Sequence, residues 1–339
     1  MGSSDPGDAS LRGALSTISL EAIRAAARRI EGAVDRTPVL RSAALDRMTG
    51  RELWFKAECS QRTGSFKLRG AMNAVLRLTR EATPPGSPVG RRSGGVATHS
   101  SGNHGRALAH AARVAGIAAH VAMPSDAPAE KLAAVRAEGA RLVLCDPSPE
   151  ARIEAALTLC RETGATFIPP SDHDDVIAGQ GTVGLELVAQ VPGLDAIVVP
   201  VGGGGLLAGV AVAAGSLAAG VRVIGAEPEG ADDASRSKVA GRHLPLRAPA
   251  LTIADGLRAP LVARAWPALR DLVDSVVPIS DESIMAALLL LHTHLGLLVE
   301  PSAAIALAAV IATPALAGRV GVVLTGGNID PARLERGLA

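Results

Sequence analysis

The sequence predicts an α/β fold in two domains, with mostly parallel twisted sheets flanked by helices. Two patterns carry that expectation. Short apolar runs alternate with longer helical patterns, the signature of strands buried on both faces and joined by crossover helices. Glycine-rich segments fall where strands hand over to helices. The bulk numbers agree, because 339 residues with 48% hydrophobic and 20% charged content suit a globular chain with ample core.

Taken in order, the chain opens on "MGSSDPGDASLRGALS", small and polar, with no apolar core of a signal peptide, so residues 1–16 are expected to be a disordered tail. The apolar runs are "GVATHS" (95–100), "IAAHVAM" (117–123), "ARLVLC" (140–145), "AIVVPV" (196–201), "VRVIGAE" (221–227) and "VGVVLTG" (320–326). Between them, "HGRALAHAARVAG" reads as a helix stopping at Gly116. "PSDAPAEKLAAVRAEGA" reads as one with a Ser/Asp cap region and a stop at Gly139, and "SPEARIEAALTLCRETGA" repeats the pattern through Gly164. Three consecutive strand-helix units predict a small domain over 95–172, inserted into a large domain made of 17–94 and 173–339. "TPPGSPVGRRSGG" (83–95) marks the boundary loop. The uncharged stretch Ala196 to Val221 is no membrane span, because Pro200 and Gly202 to Gly205 interrupt it.

Charge narrows the partners. With 34 Lys+Arg against 33 Asp+Glu, no global field recruits nucleic acid or an anionic membrane, and three Phe, two Trp and no Tyr offer few stacking platforms. Small molecules are the expected partners. Cys59, Cys145 and Cys160 are odd in number and show no C-x-x-C spacing, which fits a reducing cytoplasm better than a disulfide framework.

Four local patterns suggest chemistry. In "TGSFKLRGA" (63–71), Lys67 sits between Phe66 and Leu68, where a lysine is usually a snorkelling surface residue. "VPVGGGGLLAGVAV" sets Gly202, Gly203, Gly204 and Gly205 between a strand and a helix, a backbone suited to phosphate. A strict dinucleotide fingerprint fails at Leu207, yet Gly203, Gly205 and Ala208 with Glu227 about 20 residues on leave a looser one open. "THSSGNHGRALAHA" crowds Ser100, Ser101, Asn103 and His104 at a helix start, where unpaired N–H groups can hold a carboxylate or the side chains can simply cap. "LTGGNID" (324–330) offers the Thr325 hydroxyl at a strand end.

Together these describe a site for pyridoxal phosphate and an amino acid, and the chain resembles the fold type II (tryptophan synthase β-like) pyridoxal phosphate enzymes. Within them it is similar to the serine racemase and serine/threonine dehydratase group. The resemblance runs from about residue 20 to 330 through "RTPVL", "TGSFKLRGA", "THSSGNHG", "VIAGQGT", "VPVGGGGLLAG", "GAEPEGADDASRS", "TIADGL", "VEPSA" and "LTGGNID", and it displaces the nucleotide reading. By resemblance, Lys67 is the Schiff-base lysine with Phe66 beside it, Asn103 bonds the ring 3-oxygen, and Gly202 to Gly205 hold the phosphate. Thr325 faces the pyridine nitrogen. Ser100, Ser101, Gly102, Asn103 and His104 cradle the substrate carboxylate. Ser101 further matches the serine that acts as the second base of racemising relatives, opposite Lys67. Glu227 and Asp233, with the Ala231 carbonyl, match a divalent-cation site suited to Mg²⁺, Ca²⁺ or Mn²⁺. His292 and His294, two apart on a helix, make no rival metal site.

The implied activity is dehydration and deamination of L-serine or L-threonine to a 2-oxo acid and ammonia, with some racemisation. Serine or aspartate racemisation as the main activity, or 3-hydroxyaspartate dehydration, is the alternative. A cysteine-synthase-like activity is disfavoured, since that group resembles "SVKDR" and "TSGNTG" where this chain has "SFKLR" and "SSGNHG". Ser171 and Ala259 depart from the serine racemase pattern by removing polar reach near the substrate, and Arg106 and Gly296 stand where nucleotide-activated relatives carry Gln and Lys. No strong ATP activation is therefore expected. A homodimer is the family expectation, and no C-terminal regulatory domain is expected because "LTGGNID" falls near the last residue.

Overall fold

Apolar side chains at consecutive positions of a strand point to opposite faces, so a strand apolar throughout needs cover on both. The computed structural model, which describes residues 18–81, 94–247 and 250–329, shows this arrangement. The expected tail over 1–16 and most of the 83–95 loop lie outside the described residues. In β7 (Ala196–Pro200) all five residues are buried. Ala196 and Val198 pack with the alanine-rich helix α12 (Pro301–Ile311), while Ile197 and Val199 pack with α8 (Gly205–Leu217) on the other face.

The large sheet runs β1-β2-β10-β7-β8-β9 and is parallel except for the antiparallel edge pair of β1 (Val39–Leu40) with β2 (Glu52–Ala57). Its other members are β8 (Arg222–Pro228), β9 (Ser275–Ile279) and β10 (Arg319–Leu324). A second, wholly parallel sheet runs β5-β4-β3-β6, from β3 (Val96–His99), β4 (Ala119–Pro124), β5 (Arg141–Cys145) and β6 (Thr166–Phe167). The six runs expected to be strands are strands, within a residue or two at each end.

Four strands escape a reading by hydrophobic pattern. β1 and β6 are two residues each, β9 carries Pro278 and lies at the sheet edge where a missing N–H is tolerated, and β2 buries a lysine. Lys56 can be buried because its ammonium donates to Glu186 Oε2 (2.6 Å), Gln190 Oε1 (2.8 Å) and the Thr37 carbonyl (2.8 Å).

Among the helices, α6 (Pro149–Thr163) is capped as expected, by Ser148 Oγ on the Ala151 N–H (3.3 Å) and by Gly164 in the left-handed region (φ 72°). The helix expected over 124–140 differs: α5 (Ala129–Ala137) starts later, after Pro128, with no side-chain cap. Ser125 and Asp126 are spent in a turn, where the Ser125 N–H bonds the Cys145 carbonyl (2.9 Å).

Helix α3 (Lys67–Glu81) packs against α4 (Asn103–Val114), from the small-sheet layer, and α7 (Asp174–Gln190), from the large-sheet layer. Leu68, Ala71, Met72 and Val75 share one core with Ala107, Leu108 and Ala111. The N-terminus of α3 therefore lies where the two layers meet.

The pair α7 and α8 crosses without room for a methyl group: a Cβ at Gly209 would lie 2.6 Å from the Gly181 nitrogen and 2.7 Å from the Ile177 carbonyl oxygen. Gly209→Ala should cost about 1–3 kcal/mol in urea unfolding through overpacking, with the midpoint falling at unchanged slope.

Candidate active site

The loop before Lys67 is hung on the end of β10. Phe66 donates its N–H to the Thr325 carbonyl (3.1 Å), Gly327 donates to the Gly64 carbonyl (2.9 Å), and Asn328 Nδ2 donates to the Thr63 carbonyl (2.9 Å). Gly64 takes φ 73°, which only glycine adopts cheaply. These bonds bring Lys67 and Thr325 together although 258 positions separate them in the numbering (325 less 67).

The Lys67 ammonium meets no carboxylate among the described residues; it donates to the Pro170 carbonyl (2.9 Å) and lies 5.1 Å from the Phe66 ring centroid. Burial pulls its pKa down to about 8. Two residues on, Arg69 is fully buried and bonded to Glu58 and Glu186. The local charge is thus neutralised within that cluster, two residues along the helix from the amine.

Two helix N-termini open near this lysine, and neither has a side-chain cap. Helix α8 begins after Gly204, whose φ of 81° turns the chain. Here glycine is required by space as well: a Cβ at Gly203 would lie 2.5 Å from Ser171 Oγ, and one at Gly202 would lie 3.0 Å from the Leu257 Cα. Helix α4 begins after Gly102, also uncapped, so the capping alternative for Ser100, Ser101 and Asn103 does not hold. The free N–H groups and the helix dipole at each end favour an anion.

The side chains of 100–104 divide their work. Ser100 Oγ accepts the Gly102 N–H (3.0 Å), shaping the turn. His104 is 3% exposed, its Nε2 meets the Ile168 carbonyl (3.0 Å), and burial drives its pKa down to about 3. The ring is therefore neutral and engaged with that carbonyl. Asn103 donates through Nδ2 to both oxygens of Glu300 (2.9 and 3.0 Å) and accepts from Asn328 Nδ2 (2.8 Å). Thr325 Oγ1 donates to the Ser302 carbonyl (3.2 Å).

Glu300, Asn328 and Pro170 are the site-lining groups that sequence reasoning passed over. Burial raises the Glu300 pKa to about 7, against the pull of the Asn103 amide. The signal for it was one carboxylate in the apolar stretch "LLVEPSAAIALAAVI". Arg106 joins the same cluster through Asn328 Oδ1 (3.0 Å).

Comparison with known proteins places this geometry. Residues 30–326 match the family of pyridoxal-phosphate dependent enzymes. The chain belongs to that family. It is 43% identical to serine racemase of Homo sapiens over 319 residues, covering 92% of each chain. It is 44% identical to β-hydroxyaspartate dehydratase of Paracoccus denitrificans over 312 residues, covering 91% of this chain and 96% of the relative. The solved structure of maize serine racemase superposes with a TM-score of 0.88 at 42% identity, covering 94% of this chain and 96% of that one. This is a fold type II enzyme of the serine racemase and dehydratase kind.

The residues present fit pyridoxal phosphate. A desolvated amine, an uncapped glycine cradle that a Cβ would fill, and a buried strand-end hydroxyl are what such a group needs.

Glu227 ends β8, buried, with its oxygens accepting N–H groups from Ala234 (2.9 Å) and Ser235 (2.7 Å); Asp233 accepts from Leu261 (2.7 Å). Burial lifts Glu227 to about 8 and raises Asp233 as well. The two carboxylates also repel one another, while Arg236 and His243 act on Asp233 in the opposite sense, and among the described residues no group of three or more Asp, Glu, His or Cys side chains is placed to hold a metal ion.

The Lys67 pKa has a kinetic consequence. Capture of pyridoxal phosphate by the ligand-free protein should rise about tenfold per pH unit up to pH 8, where the amine loses its proton, and level off above. Stopped-flow absorbance checks this; a rise continuing to the ordinary lysine range would mean the amine is hydrated.

Proposed function

We propose that the chain converts L-serine or L-threonine to the corresponding 2-oxo acid and ammonia and racemises part of its substrate. The single observation that carries the reading is Lys67, a buried primary amine with no acidic partner among the described residues and a pKa near 8. Such an amine takes a proton near neutral pH and returns it.

Bound pyridoxal phosphate would supply the electron sink for the α-carbanion. The N–H groups at Gly202 to Gly205 would hold its phosphate, Phe66 would pack beside it, and Asn103, released in part from Glu300, would donate to its ring oxygen. Thr325 would present a neutral hydroxyl to the ring nitrogen, so no carboxylate there holds a proton on it. The turn Ser100, Ser101, Gly102, Asn103 and His104 would orient the substrate carboxylate at the α4 N-terminus. Lys67 would remove the α-proton. Loss of the β-hydroxyl as water and hydrolysis of the resulting enamine would then yield oxo acid and ammonia, whereas a proton returned from Ser101 on the opposite face would give the D-isomer.

Racemisation as the principal activity is supported by the serine racemase relative and by the hydroxyl at Ser101. A 3-hydroxyaspartate substrate is supported by the Paracoccus relative. Ser171, one of the two departures from the serine racemase pattern, lies against the phosphate loop, its Oγ 2.5 Å from a Cβ placed at Gly203. Glu227, Asp233 and the Ala231 carbonyl would bind Mg²⁺, with Ca²⁺ or Mn²⁺ as substitutes. A reducing cytoplasm fits the three free cysteines, and a homodimer is what the family resemblance implies.

Proton NMR of the holoenzyme in D₂O with L-serine, L-threonine, L-aspartate or 3-hydroxyaspartate decides among these substrates and products. Lys67→Ala should abolish both oxo acid and α-deuterated D-isomer. Ser101→Ala should lower D-isomer formation about a hundredfold or more, the usual weight of a general acid or base, while oxo acid formation stays within about threefold. Equal loss of both products would reduce Ser101 to a carboxylate ligand. Mg²⁺ at about a hundred times its Kd should stabilise the protein by about 2.7 kcal/mol, raising Tm, and Glu227→Gln should remove that response.

A further inference from the structure

Lys131 leaves α5, in the small-sheet layer, and pairs with Asp255, in the short turn Asp255–Leu257 that belongs to the large-sheet layer. Among the described residues this is the one ion pair joining residues 96–167 to the rest of the chain. It is sheltered, with side-chain exposures of 14% for Lys131 and 28% for Asp255, so solvent screens it less than an open surface pair.

Both ends of the pair press on the site. The Lys131 stem lies against the carboxylate turn, since a Cβ at Gly102 would be 2.9 Å from Lys131 Cδ. The Asp255 turn lies against the glycine cradle, with the Leu257 Cα 3.0 Å from a Cβ at Gly202, and it is anchored by the Gly256 N–H on Ser302 Oγ (3.0 Å). The same Ser302 carries the carbonyl that accepts the Thr325 hydroxyl. Helix α5 has little other hold, with Val135 its one buried residue.

We propose that the Lys131–Asp255 pair is a strap that holds the substrate-side turn at Gly102 against the cofactor-side turn at Gly202, making Lys131 a positioning residue for the reaction. The inference rests on the reading of these two turns as carboxylate and phosphate cradles. A strap that stays closed with substrate bound and throughout the chemistry contributes alike to both states, so its loss shows in KM more than in kcat. It also uncovers the cofactor.

The test uses holoenzyme carrying Lys131→Met, Asp255→Asn, both together, and the charge swap Lys131→Asp with Asp255→Lys. Two readouts are taken: oxo acid kinetics with the preferred amino acid, and acrylamide quenching of cofactor fluorescence, which needs bound cofactor but no turnover. Each single variant should raise KM about tenfold with kcat within about threefold, and should increase quenching. The double variant should be no worse than either single one, and the swap should recover most of the KM. Additive losses, a swap no better than the singles, or a lowered Tm with KM and quenching unchanged would each show an ordinary surface pair. If Lys131→Met does not fold, Asp255→Asn keeps the stem in place and decides by the same readouts. Failure of the unmodified protein to bind pyridoxal phosphate would overturn the cradle reading itself. A protein that binds the cofactor without making oxo acid would still test the strap through quenching.

Discussion

The ion pair between Arg69 and Glu58 is the constraint around which the site is built. Both side chains have 0% exposure, and the guanidinium meets the carboxylate twice, each contact at 2.8 Å. Arg69 reaches on to Glu186, which it shares with Lys56, so β2, the turn after it, α3 and α7 are tied at one charged node. Removing one member of such a node strands a buried charge at a cost of about 3–5 kcal/mol. Lys67 lies two residues before Arg69 on the first turn of α3, so the node determines where the amine stands without touching it.

That separation matters for the chemistry. A carboxylate beside Lys67 would hold its proton, whereas charges matched among themselves around Arg69 leave the amine subject to desolvation alone. On the proposed reading its anions would be held by other means: two uncapped helix N-termini supply partial positive charge from the backbone, which does not titrate. The buried carboxylates of the region, Glu300 and Glu227, are each raised by burial and each bonded to amide groups rather than to cations.

Legibility in the sequence followed the range of the physics. The strand over 196–200 was readable because burial on both faces demands apolar residues at every position, a pattern confined to a few neighbours. The Gly202 to Gly205 turn was readable because glycine is required within it, a Cβ at Gly203 or Gly204 lying 2.5 Å from a neighbouring atom. Strand β2 was not, since Lys56 looks like a surface residue until Glu186, 130 positions away, is folded against it. The cap expected at Ser125 or Asp126 failed for a similar reason: a turn bonded to Cys145 on the next strand took those residues first. His104 reads as a ligand in "SSGNHG", yet the Ile168 carbonyl, 64 positions on, claims its ring.

The sequence by itself determined the α/β class, the lysine at the head of a helix and the two glycine-started helices, because periodicity, chain turning and helix ends are properties of adjacent residues. Tertiary structure decided which polar groups are buried together: Glu58 with Arg69, Glu300 with Asn103 across 197 positions, and Lys131 with Asp255 across 124. A buried polar group is tolerated only beside its partner, and the partner's identity is a fact of packing that no local pattern encodes.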